Sequence, residues 1–315
     1  MEHYTRLNEQ EIDEILQQFE MGPIVSVKLL DGGFENTNYL ITSTTKKYIL
    51  CVCEQKAEQK AEELARVLIH LDTQQFHTSK IITQKNGQLF SVWKGKPIMI
   101  RSYVEGTVIA NSSPHLLRLI GKEVAKLHLV CAPDFIPKQL NYGKEQFQNV
   151  KKYGANSEFE RWLGKIVKYI TPYLDLNLPK SLIHSDIFLD NVIISEDESA
   201  VTIIDFEEST YYFRVFDIGM TIIGTCADGK TINLEKVDYF LNAYHSKAPL
   251  TSDEINALKA FTIYAGASMT FWRHQNFNYT KPDPEMYNHY LGLQVLVDYV
   301  FALDDDSFSK LIKDK

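Results

Sequence analysis

The chain has 315 residues, enough for one large or two modest domains, and its hydrophobic content of 44% is ordinary for a globular protein. A formal net charge of −8 argues against a nucleic-acid partner, because proteins that bind nucleic acids usually have a basic surface. The net charge does not exclude a nucleotide site, since local cations and metal ions neutralise phosphates. No apolar run reaches the roughly 18 residues of a membrane span. The N-terminus is polar and unlike a signal peptide, so we expect a cytoplasmic protein with no membrane partner.

The first third of the chain predicts a small lobe rich in antiparallel strands. Helices are predicted over 8–20 and 57–71, and strands over 24–30, 38–42, 48–53, 89–93 and 97–103. Cys51 and Cys53 lie in the third strand, where packing explains them better than a metal pair, since no second ligand pair lies nearby. Four cysteines in a chain of this length do not make a disulfide framework.

Helical patterns dominate after the fifth strand. Apolar faces predict helices over 116–130, 159–174, 215–225, 234–245, 252–276 and 284–303, and a hairpin over 192–194 and 201–204. We therefore predict an α+β fold with a strand-rich N-terminal lobe, residues 1–103, and a larger helical C-terminal lobe, residues 104–315. The hinge is expected at about 101–106.

One segment has a spacing that is typical of phosphoryl transfer. Asp186 is followed by Asn191, and Asp205 comes fourteen residues after Asn191. Phosphoryl transfer needs a carboxylate facing the acceptor hydroxyl and oxygen ligands for the Mg²⁺ that bridges the ATP phosphates. We predict Asp186 as the catalytic base and Asn191 and Asp205 as Mg²⁺ ligands, with ATP and Mg²⁺ as cofactors. The alternative is a polar turn feeding a hairpin, because turns favour such residues.

Two further residues are predicted to support this loop. His184 precedes Asp186 by two residues, and we expect it to hydrogen-bond the loop backbone rather than to act in catalysis. Asp217 lies among apolar residues, where a buried carboxylate should accept backbone N–H bonds. We expect it to brace the catalytic loop from a second layer.

A glycine pair joins the first two strands and is expected to fold over phosphates. Gly33 permits the turn, while Asn36, Thr37 and backbone N–H groups can donate to phosphate oxygens. A Gly-Gly pair in a hairpin is also simply a common turn. The position of the pair within the first antiparallel strands favours the phosphate site.

These motifs resemble those of aminoglycoside phosphotransferases and choline kinases, and most of all the type II homoserine kinases of that superfamily. The resemblance is carried by the segments 33–39, 127–128, 184–191, 205–207 and 216–219. It implies a two-lobed protein-kinase-like fold with ATP and Mg²⁺ in the cleft. It also implies an adenine hydrogen-bonded to the backbone near Ser102, Tyr103 and Val104.

The sequence departs from the superfamily pattern at the third strand. The superfamily often has a phosphate-pairing Lys there, where this chain has Cys51 and Cys53, and Lys56 lies beyond the strand. Homoserine kinase-like sequences frequently lack this Lys too. We therefore still expect kinase activity without this Lys, but we assign no residue to the phosphate contact that it would make.

The phosphate acceptor is predicted to bind near the C-terminal helices. Arg273 can clamp a carboxylate, whereas Trp272 and its aromatic neighbours can equally line a pocket for a cation or a sugar, or pack the core. Glu207 can meet a substrate amine or remain solvated. We predict an ATP-dependent kinase that phosphorylates a hydroxyl group of a small molecule, with homoserine as the leading acceptor. Choline, ethanolamine, a hydroxy amino acid, a sugar or an aminoglycoside remain alternatives, and a regulatory nucleotide-binding pseudokinase is the alternative of another class.

Overall fold

Alternating apolar residues in the first hundred positions build one antiparallel sheet. The computed structural model describes residues 5–30, 36–54 and 57–312, and it divides into two units, residues 1–105 and 106–315. The strands of the first unit are β1 (Ile24–Leu29), β2 (Asn36–Ser43), β3 (Lys47–Cys53), β4 (Ile81–Ile82), β5 (Ser91–Trp93) and β6 (Lys96–Ser102). They form a sheet in the order β1-β2-β3-β6-β4, and β5 pairs with β6.

Two helices accompany this sheet. Helix α1 (Glu9–Leu16) begins at Asn8, whose side chain and Glu11 form a capping box. The buried face of α1 joins Tyr39, Leu50 and other sheet residues in one apolar core. Helix α2 (Glu58–Thr73) packs against β6. Because side chains alternate along a strand, residues next to one another in β2 lie on opposite faces of the sheet.

Helices predominate in the second unit, residues 106–315. They are α3 (Pro114–Leu129), α4 (Lys144–Phe147), α5 (Lys151–Gly154), α6 (Glu158–Leu174), α7 (Arg214–Thr225), α8 (Leu234–His245), α9 (Ser252–Gln275) and α10 (His289–Ala302). Helix α9 is buried along most of its length and packs against α6, α7 and α10. A π-helical turn, Asn276–Thr280, continues it. Of the described residues, no helical stretch has the length and apolar character needed to cross a bilayer.

Short strands of the second unit carry the loops that matter for function. They are β7 (Thr107–Val108), β8 (Lys180–Ile183), β9 (Val192–Ile194), β10 (Val201–Ile203), β11 (Thr210–Phe213), β12 (Ala227–Asp228) and β13 (Thr231–Ile232). The predicted hairpin is β9–β10, with Val192 opposite Ile203. Strand β8 pairs with β11, and this pairing brings the segments before Asp186 and after Asp205 together.

The predicted elements agree with the structure in type and differ at several ends. The first helix ends at Leu16 rather than at residue 20, and the last begins at His289 rather than at residue 284. Residues 284–288 form turns instead of the first part of that helix. The elements that were not predicted are the strands β4, β7, β8, β11, β12 and β13 and the helices α4 and α5; each has only two to four residues.

Candidate active site

Asp186 lies in the loop between β8 and β9 and is half-buried. The side-chain amide nitrogen of Asn191 donates to the carbonyl oxygen of Asp186 at 2.8 Å and approaches its carboxylate Oδ2 at 3.4 Å. Because the nitrogen faces Asp186, the amide oxygen of Asn191 lies on the other side of the planar group. The predicted base and one predicted metal ligand are therefore adjacent.

Asp205 follows β10 and comes close to Asp186. Burial raises the pKa of the Asp186 carboxyl well above its ordinary value, and the negative charge of Asp205 raises it further. Asp205 has a left-handed backbone, with φ of 69°, and Ser185, just before Asp186, has φ of 70°. Left-handed residues other than Gly are uncommon and cluster at functional sites.

His184 links the loop of Asp186 to the strand that ends at Asp205. Its Nε2–H donates to the carbonyl oxygen of Ile204 at 2.8 Å, and its Nδ1 accepts from the backbone N–H of Asp186 at 3.2 Å. These partners assign one neutral tautomer. Burial lowers the pKa of His184, which favours this neutral form. The backbone hydrogen bond expected of His184 is thus present.

Asp217, on α7, is fully buried beneath the catalytic loop. Its carboxylate accepts the backbone N–H groups of His184 at 3.0 Å and Ser185 at 2.6 Å. Nε2–H of His128 donates to it at 3.0 Å. Burial alone would raise the pKa of Asp217, but hydrogen bonds from His128 and the backbone outweigh it and hold that pKa below its ordinary value. The charged Asp217 carboxylate therefore fixes the backbone of the catalytic loop at His184 and Ser185.

Arg273, near the end of α9, lies against the catalytic loop although it is distant in sequence. Its guanidinium carbon is 5.4 Å from the ring centroid of Phe188. Burial lowers the pKa of Arg273, while the carboxylates of Asp186 and Asp190 act in the opposite direction. Its neighbour Trp272 is half-buried. The structure thus places the Arg273 cation at the loop that carries the predicted base, and its role in binding the acceptor stays a prediction.

Trp272 and Glu207 differ from Arg273 in what surrounds them. The Trp272 ring contacts Phe277 edge-on, with centroids 5.6 Å apart. Glu207 is half-buried in the single 3-10 turn after Asp205. Roles for these two residues in binding the acceptor stay predictions.

Two residues outside the predicted motifs contact the same loops. The Tyr142 hydroxyl donates to the carbonyl oxygen of Ser185 at 2.7 Å. The Asn141 amide donates to Glu208 Oε2 at 2.7 Å. Burial, with Asp186 next in effect, raises the pKa of Tyr142 well above its ordinary value, so its hydroxyl stays a donor. No local pattern marks these residues, because their partners lie more than 40 residues away.

The first unit contains the predicted phosphate-binding residues. Gly33 lies outside the described residues, as does Lys56. Asn36 and Thr37 are buried at the start of β2 and, as neighbours in a strand, point to opposite faces of the sheet. The Thr37 hydroxyl donates to Glu54 Oε1 at 2.6 Å, so a phosphate contact through this hydroxyl requires its proton to be redirected.

Ser102 and Val104 differ in the hydrogen bonds that the structure gives to their donors and acceptors. The Ser102 backbone N–H donates to the Lys80 carbonyl at 2.8 Å, and its hydroxyl accepts the Lys80 N–H at 2.8 Å. Val104 is half-buried in the irregular segment after β6. Of these two positions, Val104 is the better candidate for a backbone contact with adenine.

The donor set around Asp186 fits a hard cation such as Mg²⁺. Asn191 and Asp205 supply an amide and a carboxylate oxygen, and Mg²⁺ is usually held by one or two protein carboxylates together with substrate phosphates. In the described ranges, no group of three or more His, Cys, Asp and Glu side chains is arranged to hold a metal by itself. The amide and carboxylate oxygens of Asn191 and Asp205 therefore fit Mg²⁺ held jointly with substrate phosphates.

Two solved structures that share the fold are, by name, kinases of small molecules. The amicoumacin kinase hAmiN, in complex with AMP-PNP, Ca²⁺ and Ami, aligns with a TM-score of 0.74 and 15% identity over 95% of this chain and 96% of its own. The microcompartment-associated aminopropanol kinase aligns with a TM-score of 0.73 and 16% identity over 96% and 99% of the two chains. The predicted α+β, protein-kinase-like fold is confirmed.

Sequence comparison gives the family. The phosphotransferase enzyme family (APH) matches residues 26–250, and the chain belongs to this family. Homoserine kinases are among its relatives; that of Methylobacillus flagellatus is 24% identical over 276 residues, 86% of each chain. The chain is accordingly an ATP-dependent small-molecule kinase, and the predicted likeness to homoserine kinases is confirmed.

Proposed function

We propose that this kinase transfers the γ-phosphoryl group of ATP to the hydroxyl of a small amino acid, with homoserine as the first candidate. The observation that carries the proposal is the Arg273 guanidinium over the ring of Phe188, where the negative charges of Asp186 and Asp190 act on it. A guanidinium next to the base can bind a carboxylate of the acceptor. Many relatives are homoserine kinases, which supports the same acceptor class.

In the proposed reaction Asp186 takes the proton of the acceptor hydroxyl while the hydroxyl oxygen of the acceptor bonds to the γ-phosphorus. The bond from that phosphorus to the bridging oxygen breaks, and ADP leaves with the electron pair. Asn191 and Asp205 would hold Mg²⁺, which neutralises phosphate charge when bound. In the first unit we assign Asn36 and Val104 to nucleotide contacts. We expect the enzyme to work in the cytoplasm on a free metabolite, without nucleic acid.

The reaction is tested by ADP release with ATP, Mg²⁺ and a panel containing homoserine, 1-amino-2-propanol, ethanolamine, choline and sugars. Asp186→Asn should reduce kcat by about 10²–10⁴, with ATP binding unchanged. Asp197→Asn is the matched control, because its carboxylate bonds Ser195 and Ser199 on the β9–β10 turn. ATP binding without turnover on any acceptor would favour a regulatory pseudokinase instead.

The acceptor class is tested with Arg273→Met, which keeps a long side chain and removes the charge. If the acceptor carries a carboxylate, this variant should raise KM for homoserine by about 10–100-fold, as loss of a charge-assisted bond does. KM for an amino alcohol should change little. Wild-type activity on 1-amino-2-propanol with none on homoserine would reject the amino-acid acceptor and leave the reaction type intact.

A further inference from the structure

The loop between α3 and α4 makes a second set of contacts with the catalytic loops. Tyr142 is 3% exposed, and its hydroxyl lies 2.7 Å from the carbonyl oxygen and 3.0 Å from the Oγ of Ser185. Ser185 Oγ in turn donates to the carbonyl oxygen of Glu208 at 2.7 Å. The phenol therefore contacts the residue that joins the loop of Asp186 to the loop after Asp205.

Asn141 adds a bond to the second of these loops. Its amide nitrogen donates to Glu208 Oε2 at 2.7 Å, and Glu208 is three residues from Asp205. Ser185 and Glu208, which contact each other, are thus hydrogen-bonded to two adjacent residues of one segment, Tyr142 and Asn141. The negative charge of Glu208 also acts on Asp186, so its placement affects the base directly.

The segment that carries Asn141 and Tyr142 is itself fixed at both ends. On one side, the Pro137 carbonyl accepts from the Thr210 hydroxyl at 2.6 Å and the Tyr211 N–H at 2.7 Å. On the other side, the Lys144 N–H donates to the Tyr264 hydroxyl at 3.0 Å. Because the segment is anchored on both sides, it can hold in place the residues to which Asn141 and Tyr142 are hydrogen-bonded.

Ser185 needs such support because of its backbone. Its φ of 70° is strained for a residue with a side chain, and it comes directly before Asp186. A backbone held in a strained conformation persists only when surrounding contacts over-determine it. The Asp217 carboxylate fixes the Ser185 N–H, and the Tyr142 hydroxyl fixes its carbonyl oxygen.

We propose that Tyr142, assisted by Asn141, is a positioning residue that sets Asp186 relative to Asp205 for phosphoryl transfer. The inference rests on the proposed function, in which Asp186 orients the acceptor and Asp205 holds the metal. Tyr142 touches neither substrate nor metal in this scheme. Its effect is on the alignment of the two loops, and misalignment acts on kcat more than on binding.

The test is steady-state kinetics of Tyr142→Phe in the full chain, which removes the hydroxyl and keeps the ring. We expect kcat to fall about tenfold, as small misplacements of catalytic groups do, with KM for ATP and for the acceptor within about twofold of wild type. The matched control is Tyr39→Phe. The Tyr39 hydroxyl is also buried and also bonds backbone groups, those of Leu7 and Thr5 in the first unit.

A second variant keeps the proposal open to refutation if Tyr142→Phe folds poorly. Asn141 is exposed, and Asn141→Ala should fold normally and lose about threefold in kcat. The proposal is overturned if kcat of Tyr142→Phe stays within about twofold of wild type, or if Tyr39→Phe loses as much. It is also overturned if the loss lies in KM. An active Asp186→Asn variant in the same assay would instead refute the proposed function itself.

Discussion

Ser185 and Asp205 show how single residues hold strain in this protein. Both have left-handed backbone angles, and they lie at the starts of the two loops that carry the predicted chemistry. Such conformations cost of order 1–3 kcal/mol each. At Ser185, two buried hydrogen bonds offset that cost: its N–H donates to the Asp217 carboxylate, and its carbonyl oxygen accepts from the Tyr142 hydroxyl. The strained backbone of Ser185 is therefore maintained by partners far away in sequence.

His274 is the buried histidine with the plainest consequence for stability. It stacks on Phe159 with centroids 3.8 Å apart, its Nδ1 has no hydrogen-bond partner among the described residues, and burial lowers its pKa to about 4. In the unfolded chain the pKa returns to about 6.5. Between these values the unfolded state binds more protons, so stability falls as the pH falls from about 6.5 towards 4.

His274→Phe should remove this acid sensitivity while keeping the ring stacking. We measure the free energy of unfolding in urea and subtract the wild-type value from that of the variant. This difference should be more positive at about pH 5 than at about pH 7.5, because only wild type loses stability through His274 as the pH falls. His77→Phe serves as the control, because the His77 side chain is exposed. A constant difference between wild type and His274→Phe from about pH 7.5 to about pH 4.5 would contradict the expectation.

At the scale of elements, glycines set how closely the helices of the second unit pack. A Cβ at Gly219 of α7 would lie 2.6 Å from the carbonyl oxygen of Phe261 on α9, so the two backbones approach too closely for any side chain. Asp217 lies on the same helix. Close packing of α7 on α9 therefore fixes the helix that holds the catalytic loop from below.

Gly219→Ala should lower the free energy of unfolding by roughly 1–3 kcal/mol, since overpacking a core costs that much. Gly164→Ala on α6 is the matched control, because a Cβ there would meet no other part of the described chain within 4 Å. An exposed helical Gly→Ala change of this kind should stabilise by roughly 0.5–1 kcal/mol. Urea unfolding of both variants provides the measurement. Equal effects of the two substitutions would show that helix propensity, not packing against α9, governs Gly219.

At the scale of the whole molecule, the proposed nucleotide and metal sites make stability depend on ligand. A ligand that binds only the folded state at about a hundred times its Kd adds about 2.7 kcal/mol. AMP-PNP with Mg²⁺ should therefore raise the free energy of unfolding by about this amount, and EDTA should remove most of the gain. The measurement is urea unfolding with and without EDTA.

Asp205→Asn should lose the Mg²⁺-dependent part of this stabilisation, because it removes a carboxylate ligand of the proposed site. Asp197→Asn should keep it, since this carboxylate lies on the β9–β10 turn. If wild type gains the same stability from AMP-PNP in EDTA and in Mg²⁺, the assignment of Asp205 as a metal ligand is wrong.

The local parts of the structure were predictable because they depend on neighbours in sequence. Alternation and helical periodicity predicted β1 to β3, the β9–β10 hairpin and the helices from α6 to α9 with small errors at their ends. The short strands β8 and β11 could not be predicted, because each is stable only through pairing with the other. Asn36 and Thr37 both stay predicted phosphate contacts, and the strand pleat, which a residue list does not show, turns their side chains to opposite faces.

By itself the sequence determined the kinase-like class. Asp186, Asn191 and Asp205 lie in one short segment, so their spacing can be recognised without knowing how the rest of the chain packs. Only the tertiary structure decided which distant residues reach that loop. Arg273, Asn141 and Tyr142 come to it through the packing of α9 and the anchoring of the loop before α4. Contacts of this kind depend on the folding of long intervening segments, so no local pattern marks Asn141 or Tyr142, and Arg273 was a candidate for its chemistry and not for its contact with the loop.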